Sequence, residues 1–196
     1  MESSGKQGAG GLKQVAPKRP GAKTKDAQGP CQLFIMRHGI ALDRNSPLAS
    51  NDSARPLTPK GRTRVARIAE GLHKLGYAFD WIVTSPLVRA AETAKIVAAS
   101  QKPTPPVDVC AALRPGASRE GVLVFLAKNP ERKRVMLVGH EPDLSALAGR
   151  LIGTGRDANL EFKKGGCCLI EYDGPPGRYS GRLVWWLTPR ALRANK

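Results

Sequence analysis

Short apolar runs alternate with segments of helical periodicity along most of the chain. Runs of four to six mainly apolar residues predict buried strands at 31–36, 81–84 and 134–138. Two later strands are predicted at 167–172 and 183–187, with a turn rich in Gly and Pro between them. Because strands alternate with helices, the pattern favours an α/β fold that is built on a mostly parallel sheet.

Amphipathic helices are predicted between these strands. Thr58 and Pro59 are typical of an N-cap and the first helical position, and the apolar residues after them recur on one face as far as Gly76, a typical helix terminator. Further helices are predicted at 88–99, 118–128 and 144–151, and loops at 40–57 and 101–108.

The composition indicates one folded domain at residues 31–196, preceded by a tail at 1–30. The tail is rich in Gly, Lys, Ala, Gln and Pro without any apolar period, so disorder is predicted there. With 41% hydrophobic residues, the remainder can bury a core of ordinary size. No apolar run reaches the ~18 residues of a membrane span, and none in the tail resembles a signal peptide, so a cytoplasmic location is expected.

The net charge of +16 is the strongest bias in the composition. Six basic and two acidic residues lie in the tail, so most of the excess belongs to the folded part. Such an excess favours encounter with anions, whether phosphorylated metabolites, acidic protein surfaces or nucleic acid, although solubility alone is also a sufficient reason.

The four cysteines are interpreted as core residues. Cys31, Cys110, Cys167 and Cys168 form no CxxC pair, and none stands at zinc-ligand spacing with a histidine. They are typical of a protein in a reducing compartment. The adjacent Cys167 and Cys168 are expected on opposite faces of a strand.

Polar side chains of a related kind follow three of the predicted strands. The first strand ends on Arg37, His38 and Gly39; the second is followed by Arg89, one turn into a helix; the third ends just before His140. Ligands of open parallel sheets bind at the carboxyl ends of the strands, so these residues are expected at one edge. The sequence alone does not make the three strands neighbours.

Two arginines and two histidines without an acidic cluster nearby indicate a phosphate site. Arginine offers a planar fork of donors, and a neutral histidine has a ring lone pair that can attack phosphorus. A protonated second histidine can stabilise the charge of the transferring phosphoryl group. Gly39 lacks a Cβ that would obstruct a phosphate near the backbone. His73 is predicted to lie on the helix surface, and the remaining two histidines make a poor zinc shell.

Four segments resemble the motifs of the histidine phosphatase superfamily, whose fold is phosphoglycerate-mutase-like. The short chain and the run from Arg55 to Thr58 are most similar to the SixA-type phosphohistidine phosphatases. The resemblance spans about residues 31–189 and implies a three-layer α/β/α fold and an enzyme that needs no metal and no organic cofactor. The four segments are LFIMRHG at 33–39, RPLTPKGR at 55–62, TSPLVRAAETA at 84–94 and LVGHEP at 137–142.

The resemblance also implies a role for each matching residue. By position, His38 is the residue that becomes phosphorylated, and Arg37 and Arg89 bind the phosphoryl group. His140 is the second histidine of the pocket, and Arg55 is an additional phosphate ligand.

The leaving group separates branches of this family. Phosphomonoesterases and mutases usually place an acid that protonates the leaving oxygen, whereas SixA-type members lack a dedicated acid. The candidate acids here are Glu141, Asp43 and Glu92. Glu141 either donates a proton or caps and orients the helix that begins near Pro142, and Glu92 is predicted to pair with Lys95 or Arg89 on its own helix.

These observations predict a phosphatase that acts through a phosphohistidine intermediate, with phosphohistidine on a protein as substrate. One alternative is a phosphomonoesterase acting on a small phosphorylated metabolite or nucleotide. An alternative from another class of function is a basic nucleic-acid-binding protein on a decayed phosphatase scaffold. The sequence disfavours it, because it has no interleaved aromatic residues and no recognised nucleic-acid motif.

Overall fold

The structure, a computed structural model, describes Met1 and residues 29–154, 159–176 and 180–194. The predicted disordered tail at 1–30 therefore lies almost wholly outside the described residues. In the described part, the strands are Cys31–Arg37 (β1), Trp81–Thr84 (β2), Val107–Val109 (β3), Arg134–Gly139 (β4), Cys167–Tyr172 (β5) and Gly181–Leu187 (β6), and the α-helices are Pro59–Lys74 (α1), Val88–Ala99 (α2), Arg119–Ala127 (α3), Asp143–Ile152 (α4) and Pro189–Ala194 (α5).

One mixed sheet contains these strands in the order β3-β2-β4-β1-β5-β6. The four strands β1 to β4 run parallel to one another, whereas β5 and β6 pair antiparallel at one side. The prediction of an α/β fold with a mostly parallel sheet is thus confirmed. Because β4 lies between β1 and β2, the three strands that end on candidate site residues are direct neighbours.

Two apolar cores, one on each face of the sheet, produce three layers. Along β1, Leu33 and Ile35 pack with α3 and α4, whereas Phe34 and Met36 pack with α1, α2 and α5. Burial on both faces explains why this strand is apolar without alternation. The four cysteines are buried and free, and Cys168 and Cys167 belong to opposite cores, as predicted.

The ends of α1 follow its local sequence. Thr58 Oγ1 accepts a hydrogen bond from the Gly61 N–H at 2.9 Å, and Pro59 is the first helical residue. Gly76, just beyond the helix, has a φ of +82°, a left-handed value that glycine adopts without strain. His73 is exposed on this helix, as predicted.

Two elements differ from the prediction. The short strand β3 lies partly within the predicted loop 101–108, and it is an edge strand too short to show alternation. Helix α5 was not predicted, because Leu192 is its only buried residue. It packs so closely on α1 that a Cβ at Gly71 would stand 1.8 Å from the Leu192 carbonyl oxygen. None of the helices in the described ranges is long and apolar enough to cross a membrane.

Candidate active site

The carboxyl ends of the three central parallel strands bring the predicted residues together. In the sheet register Arg37, the last residue of β1, is level with Gly139, the last residue of β4, so His38 and His140 directly follow the two strands. The backbone hydrogen bonds between these strands extend one residue further, since the His38 N–H donates to the Gly139 carbonyl at 3.1 Å. The rings of His38 and His140 are 5.1 Å apart between centroids, so the two histidines share one site.

His38 is held in one tautomer. Its Nδ1 lies 2.7 Å from the Gly39 carbonyl oxygen, which can only accept, so Nδ1 carries the proton. The lone pair is therefore on Nε2, where the Arg89 Nε–H donates to it at 3.3 Å. Burial lowers the pKa of His38 from 6.5 to about 3, with nearby His140 and arginines acting in the same direction. The ring is thus neutral at pH 7 and has the electron pair that a nucleophile needs.

Arg89 is buried, and Asp52 fixes its position. The Arg89 Nη1 donates to the Asp52 backbone carbonyl at 2.7 Å, and its Nη2 donates to the Asp52 carboxylate at 3.1 Å. The same carboxylate accepts from Arg55 at 2.7 Å and lies 3.5 Å from Arg44. Partial burial acts to raise the pKa of Asp52, but the guanidinium groups of Arg55 and Arg89 outweigh it and hold that pKa below its ordinary value. Asp52 is therefore the anion around which Arg89, Arg55 and Arg44 are arranged.

Asp52 was missed by the sequence reasoning, which indicated a site without carboxylates among its arginines. It begins a short 3₁₀ helix, Asp52–Ala54, inside the predicted loop 40–57. An acidic residue three positions before Arg55 was the available signal, but surface charge pairs of that spacing are too common to single one out.

Arg55 and Arg37 line the same cavity but have different protein partners. Arg55 is largely buried, since it donates to the Leu42 carbonyl as well as to Asp52. The Arg37 Nη1 donates to the Phe162 carbonyl at 2.6 Å, whereas its buried Nε has no protein partner among the described residues. Arg37 consequently keeps donor capacity for a ligand.

His140 is buried and has one free ring nitrogen. Its Nε2 lies 2.9 Å from the Ser85 hydroxyl, and its Nδ1 has no partner in the described part of the chain. Burial, reinforced by Arg89, lowers the pKa of His140 to about 4, so the ring is neutral when the pocket is empty of anions. A bound phosphoryl dianion acts in the opposite direction and favours the protonated ring.

Arg37, His38, Arg55 and His140 are among the side chains that line a cavity of about 270 Å³. Its lining has four basic side chains and two acidic ones, an excess that suits an anion. The lining residues are Arg37, His38, Ala41, Asp43, Arg44, Arg55, Pro115, His140, Glu141 and Lys164.

Glu141 lies at the edge of this cavity and is tied to the protein by both oxygens. Its Oε2 accepts from the Ser145 hydroxyl at 2.6 Å, and its Oε1 accepts from the Phe162 N–H at 3.4 Å. It orients the start of α4 rather than binding the N–H groups of that helix, where no side chain caps. Burial raises the pKa of Glu141. The hydrogen bond from Ser145 is the strongest opposing influence, but the net shift is upward.

The contacts revise the prediction for Glu92 and add a packing role for Gly39. Glu92 does not pair with Lys95 or Arg89; it accepts from the Leu57 N–H at 2.7 Å and from Arg62 at 2.8 Å, because the chain before α1 packs beside α2. Gly39 has a packing reason for lacking a side chain, since a Cβ there would stand 2.5 Å from a Val65 methyl group. Its predicted role in phosphate approach stays a prediction.

Within the described residues, no three His, Cys, Asp or Glu side chains are placed so that they could hold a metal ion. The metal independence that the resemblance implies stays a prediction.

The two buried histidines predict acid-sensitive stability. Below about pH 6.5 the unfolded chain binds a proton at each histidine, whereas the folded chain does so only near pH 3 at His38 and pH 4 at His140. The free energy of unfolding should therefore fall as the pH decreases from 6.5 towards 4, by up to about 1.4 kcal/mol per pH unit for each histidine. Urea unfolding between pH 5 and 7 measures this slope. His140→Gln should reduce it, and His73→Gln, on the exposed face of α1, should not; equal slopes in all three proteins would contradict the assignment.

Comparison with known proteins finds relatives of this chain both by sequence and by structure. The sequence model of the histidine phosphatase superfamily (branch 1) matches residues 33–115. An uncharacterized protein of Picosynechococcus sp. is 41% identical over 138 residues, which are 69% of this chain and 81% of that protein.

Solved structures share the whole architecture. The protein histidine phosphatase SixA complexed with tungstate has a TM-score of 0.71 and 26% identity, covering 82% of this chain and 99% of that one. A mycobacterial glucosyl-3-phosphoglycerate phosphatase has a TM-score of 0.64 and 20% identity, covering 82% and 100%.

A neutral, buried histidine among arginines at the carboxyl edge of an α/β sheet is an arrangement that suits an anionic group. The chain belongs to the histidine phosphatase superfamily, and the class of enzyme that its fold and relatives support is a phosphatase.

Proposed function

We propose that this phosphatase removes the phosphoryl group from phosphohistidine on a protein, through a covalent intermediate on His38. The observation that carries the proposal is the state of the His38 ring, which is buried and neutral with its lone pair on Nε2. It stands at the wall of a cavity that four basic side chains and two acidic ones line.

In the first step, His38 Nε2 attacks phosphorus and the bond from phosphorus to the substrate nitrogen breaks. The substrate ring, which carries a proton on its other nitrogen, leaves as neutral imidazole. The Arg89 Nε–H that now covers the lone pair is released to a phosphoryl oxygen. Arg37 and Arg55 bind the other oxygens, and the free Nδ1 of His140 completes the set. Charge stabilisation and positioning of this kind supply most of the catalysis in phosphoryl transfer.

The second step returns the enzyme to its starting state. Water attacks the phosphoryl group on His38, the new P–O bond replaces the P–N bond, and inorganic phosphate leaves. His140, whose ring is adjacent to that of His38, holds the phosphoryl oxygens through this step, and the proton of the attacking water leaves with the phosphate.

Two features favour phosphohistidine as the substrate. Transfer from one imidazole to another exchanges a P–N bond for a P–N bond, so the step needs no strong acid for the leaving group. Both oxygens of Glu141, the carboxylate nearest the reacting groups in sequence, are bonded to the protein. The cavity of about 270 Å³ has room for a phosphoryl group and its carrier ring.

One observation favours the second candidate, a phosphomonoesterase on a small metabolite. Burial raises the pKa of Glu141, as it does in a carboxylic acid that protonates a leaving oxygen. Glu141 also lines the cavity. In that function, loss of its proton would slow esters strongly and phosphoramidates little.

The two functions are separated by comparing wild type with Glu141→Gln, without added metal, on a phosphohistidine-bearing protein and on an alkyl phosphate, whose leaving oxygen needs a proton. We expect rapid loss of phosphohistidine in both proteins, with Glu141→Gln within about threefold of wild type, and weak turnover of the ester. A general acid normally contributes about 10²–10⁴-fold. Efficient ester hydrolysis that falls at least 100-fold in Glu141→Gln would replace this proposal by the phosphomonoesterase.

A further inference from the structure

A second cavity, here called the basic groove, lies beside the active site. Its volume is about 510 Å³, and it shares Arg37 and Lys164 with the catalytic cavity. Its other walls come from α1, from the segment before β5 and from α5, and they contribute Arg64, Lys163, Arg190 and Arg193.

The six cations of the basic groove outnumber the acidic side chains of its lining. Within the described residues, no carboxylate lies within ion-pair distance of any of them, although seven arginines elsewhere do have such partners. Glu161 is the one acidic side chain in the lining. Like charges so close together repel one another, and a bound polyanion would remove that cost.

The floor of the basic groove is apolar and aliphatic. Ile40, Val65, Ile68 and Pro189 form it, and the lining contains no aromatic ring. A nucleic acid or nucleotide would find no ring on which a base could stack. Cationic walls over an aliphatic floor instead suit a peptide segment that carries acidic and aliphatic side chains.

We propose that the basic groove binds an acidic segment of the protein substrate, adjacent to the phosphorylated residue. This inference rests on the proposed function and names its recognition element. Arg37 and Lys164 stand at the junction of the two cavities, so a bound chain passes from the groove to the catalytic cavity without a break. Selection between substrates then depends on the residues beside the phosphohistidine and not on the phosphoryl group.

The test uses two fluorescein-labelled peptides that carry one histidine followed by four glutamates or by four glutamines. Binding of the unphosphorylated peptides is measured by fluorescence anisotropy, and turnover is measured on the same peptides phosphorylated at histidine. The groove variant is the double reversal Lys163→Glu with Arg190→Glu, both exposed. The matched control is Lys95→Glu with Lys128→Glu, two exposed lysines on α2 and at the end of α3 with the same change in net charge.

We expect wild type and the control to bind the glutamate peptide at least tenfold more tightly than the glutamine peptide, a preference that weakens as salt rises and is lost in the groove variant. Turnover of an aryl phosphate should be equal in all three proteins, which shows that the catalytic site is intact. Equal affinity of wild type for both peptides, or an equal loss in the control, would overturn the proposal. If the peptides bind as expected but phosphohistidine is not hydrolysed, the groove assignment stands and the proposed substrate fails.

Discussion

Replacing His38 by alanine should abolish turnover, with kcat at least ~10⁴-fold below wild type and no phosphoryl group retained on the protein. The reason is that the hydrogen bond of Nδ1 to the Gly39 carbonyl places the His38 lone pair on Nε2, where Arg89 orients the ring. Among the described residues, no other ring nitrogen of the site combines these two contacts. Without it, the arginines still bind phosphate but no acceptor remains. Rapid quenching with a ³²P-labelled substrate measures the intermediate, which should be labile to acid.

The matched control is His73→Ala, which removes an exposed imidazole from α1 and should keep full activity. Thermal unfolding of His38→Ala at pH 7.5 checks that the fold persists. A variant that remains folded and still forms an acid-labile phosphoprotein would show that His38 is not the acceptor, and His140 would be the residue to test.

The second largest effect is expected for Arg89→Ala, with a fall in kcat of about 10²–10³-fold. Arg89 has two functions at once, since its Nε faces His38 and its Nη atoms are bound to Asp52. Arg89→Lys should recover little, because an ammonium cannot bond His38 and Asp52 in the same fork. Steady-state kinetics with the phosphohistidine-bearing protein measure both variants.

Asp52→Asn tests whether the Asp52 carboxylate positions Arg89 and Arg55. We expect a milder fall in kcat, about tenfold, with tighter inhibition by inorganic phosphate, because Arg55 and Arg89 lose their carboxylate partner. The control is Arg62→Ala, whose guanidinium pairs with Glu92 outside the cavity. Unchanged kcat and unchanged phosphate inhibition in Asp52→Asn would refute a positioning role for Asp52.

The sequence predicted the elements with strong local signals. Strands β1, β2 and β4 are buried on both faces, so their apolar runs were unmistakable, and Thr58 with Pro59 marked the start of α1. The convergence of His38 and His140 depended on a further fact, the position of β4 between β1 and β2, which only the sheet order shows.

What the sequence could not supply depends on long-range contacts. Glu92 reaches the Leu57 N–H, 35 positions away, instead of a neighbour on its own helix. Asp52 becomes important only because the loop that carries it folds against α2. The basic groove is assembled from α1, α5 and the segment before β5, which are far apart along the chain. None of these contacts produces a periodic pattern in the sequence from which it could be predicted.

The buried thiols described above affect how sensitive this enzyme is to oxidation. Burial raises the pKa of Cys110, Cys167 and Cys168, so these side chains are not held as the reactive thiolate that peroxide attacks first. The proposed phosphoryl acceptor is an imidazole, which has no counterpart to a sulfenic acid. Hydrogen peroxide inhibits phosphatases that use a cysteine nucleophile, because it oxidises the thiolate. Here none of these three cysteines is held as a thiolate, and no cysteine or methionine is among the described residues that line the catalytic cavity.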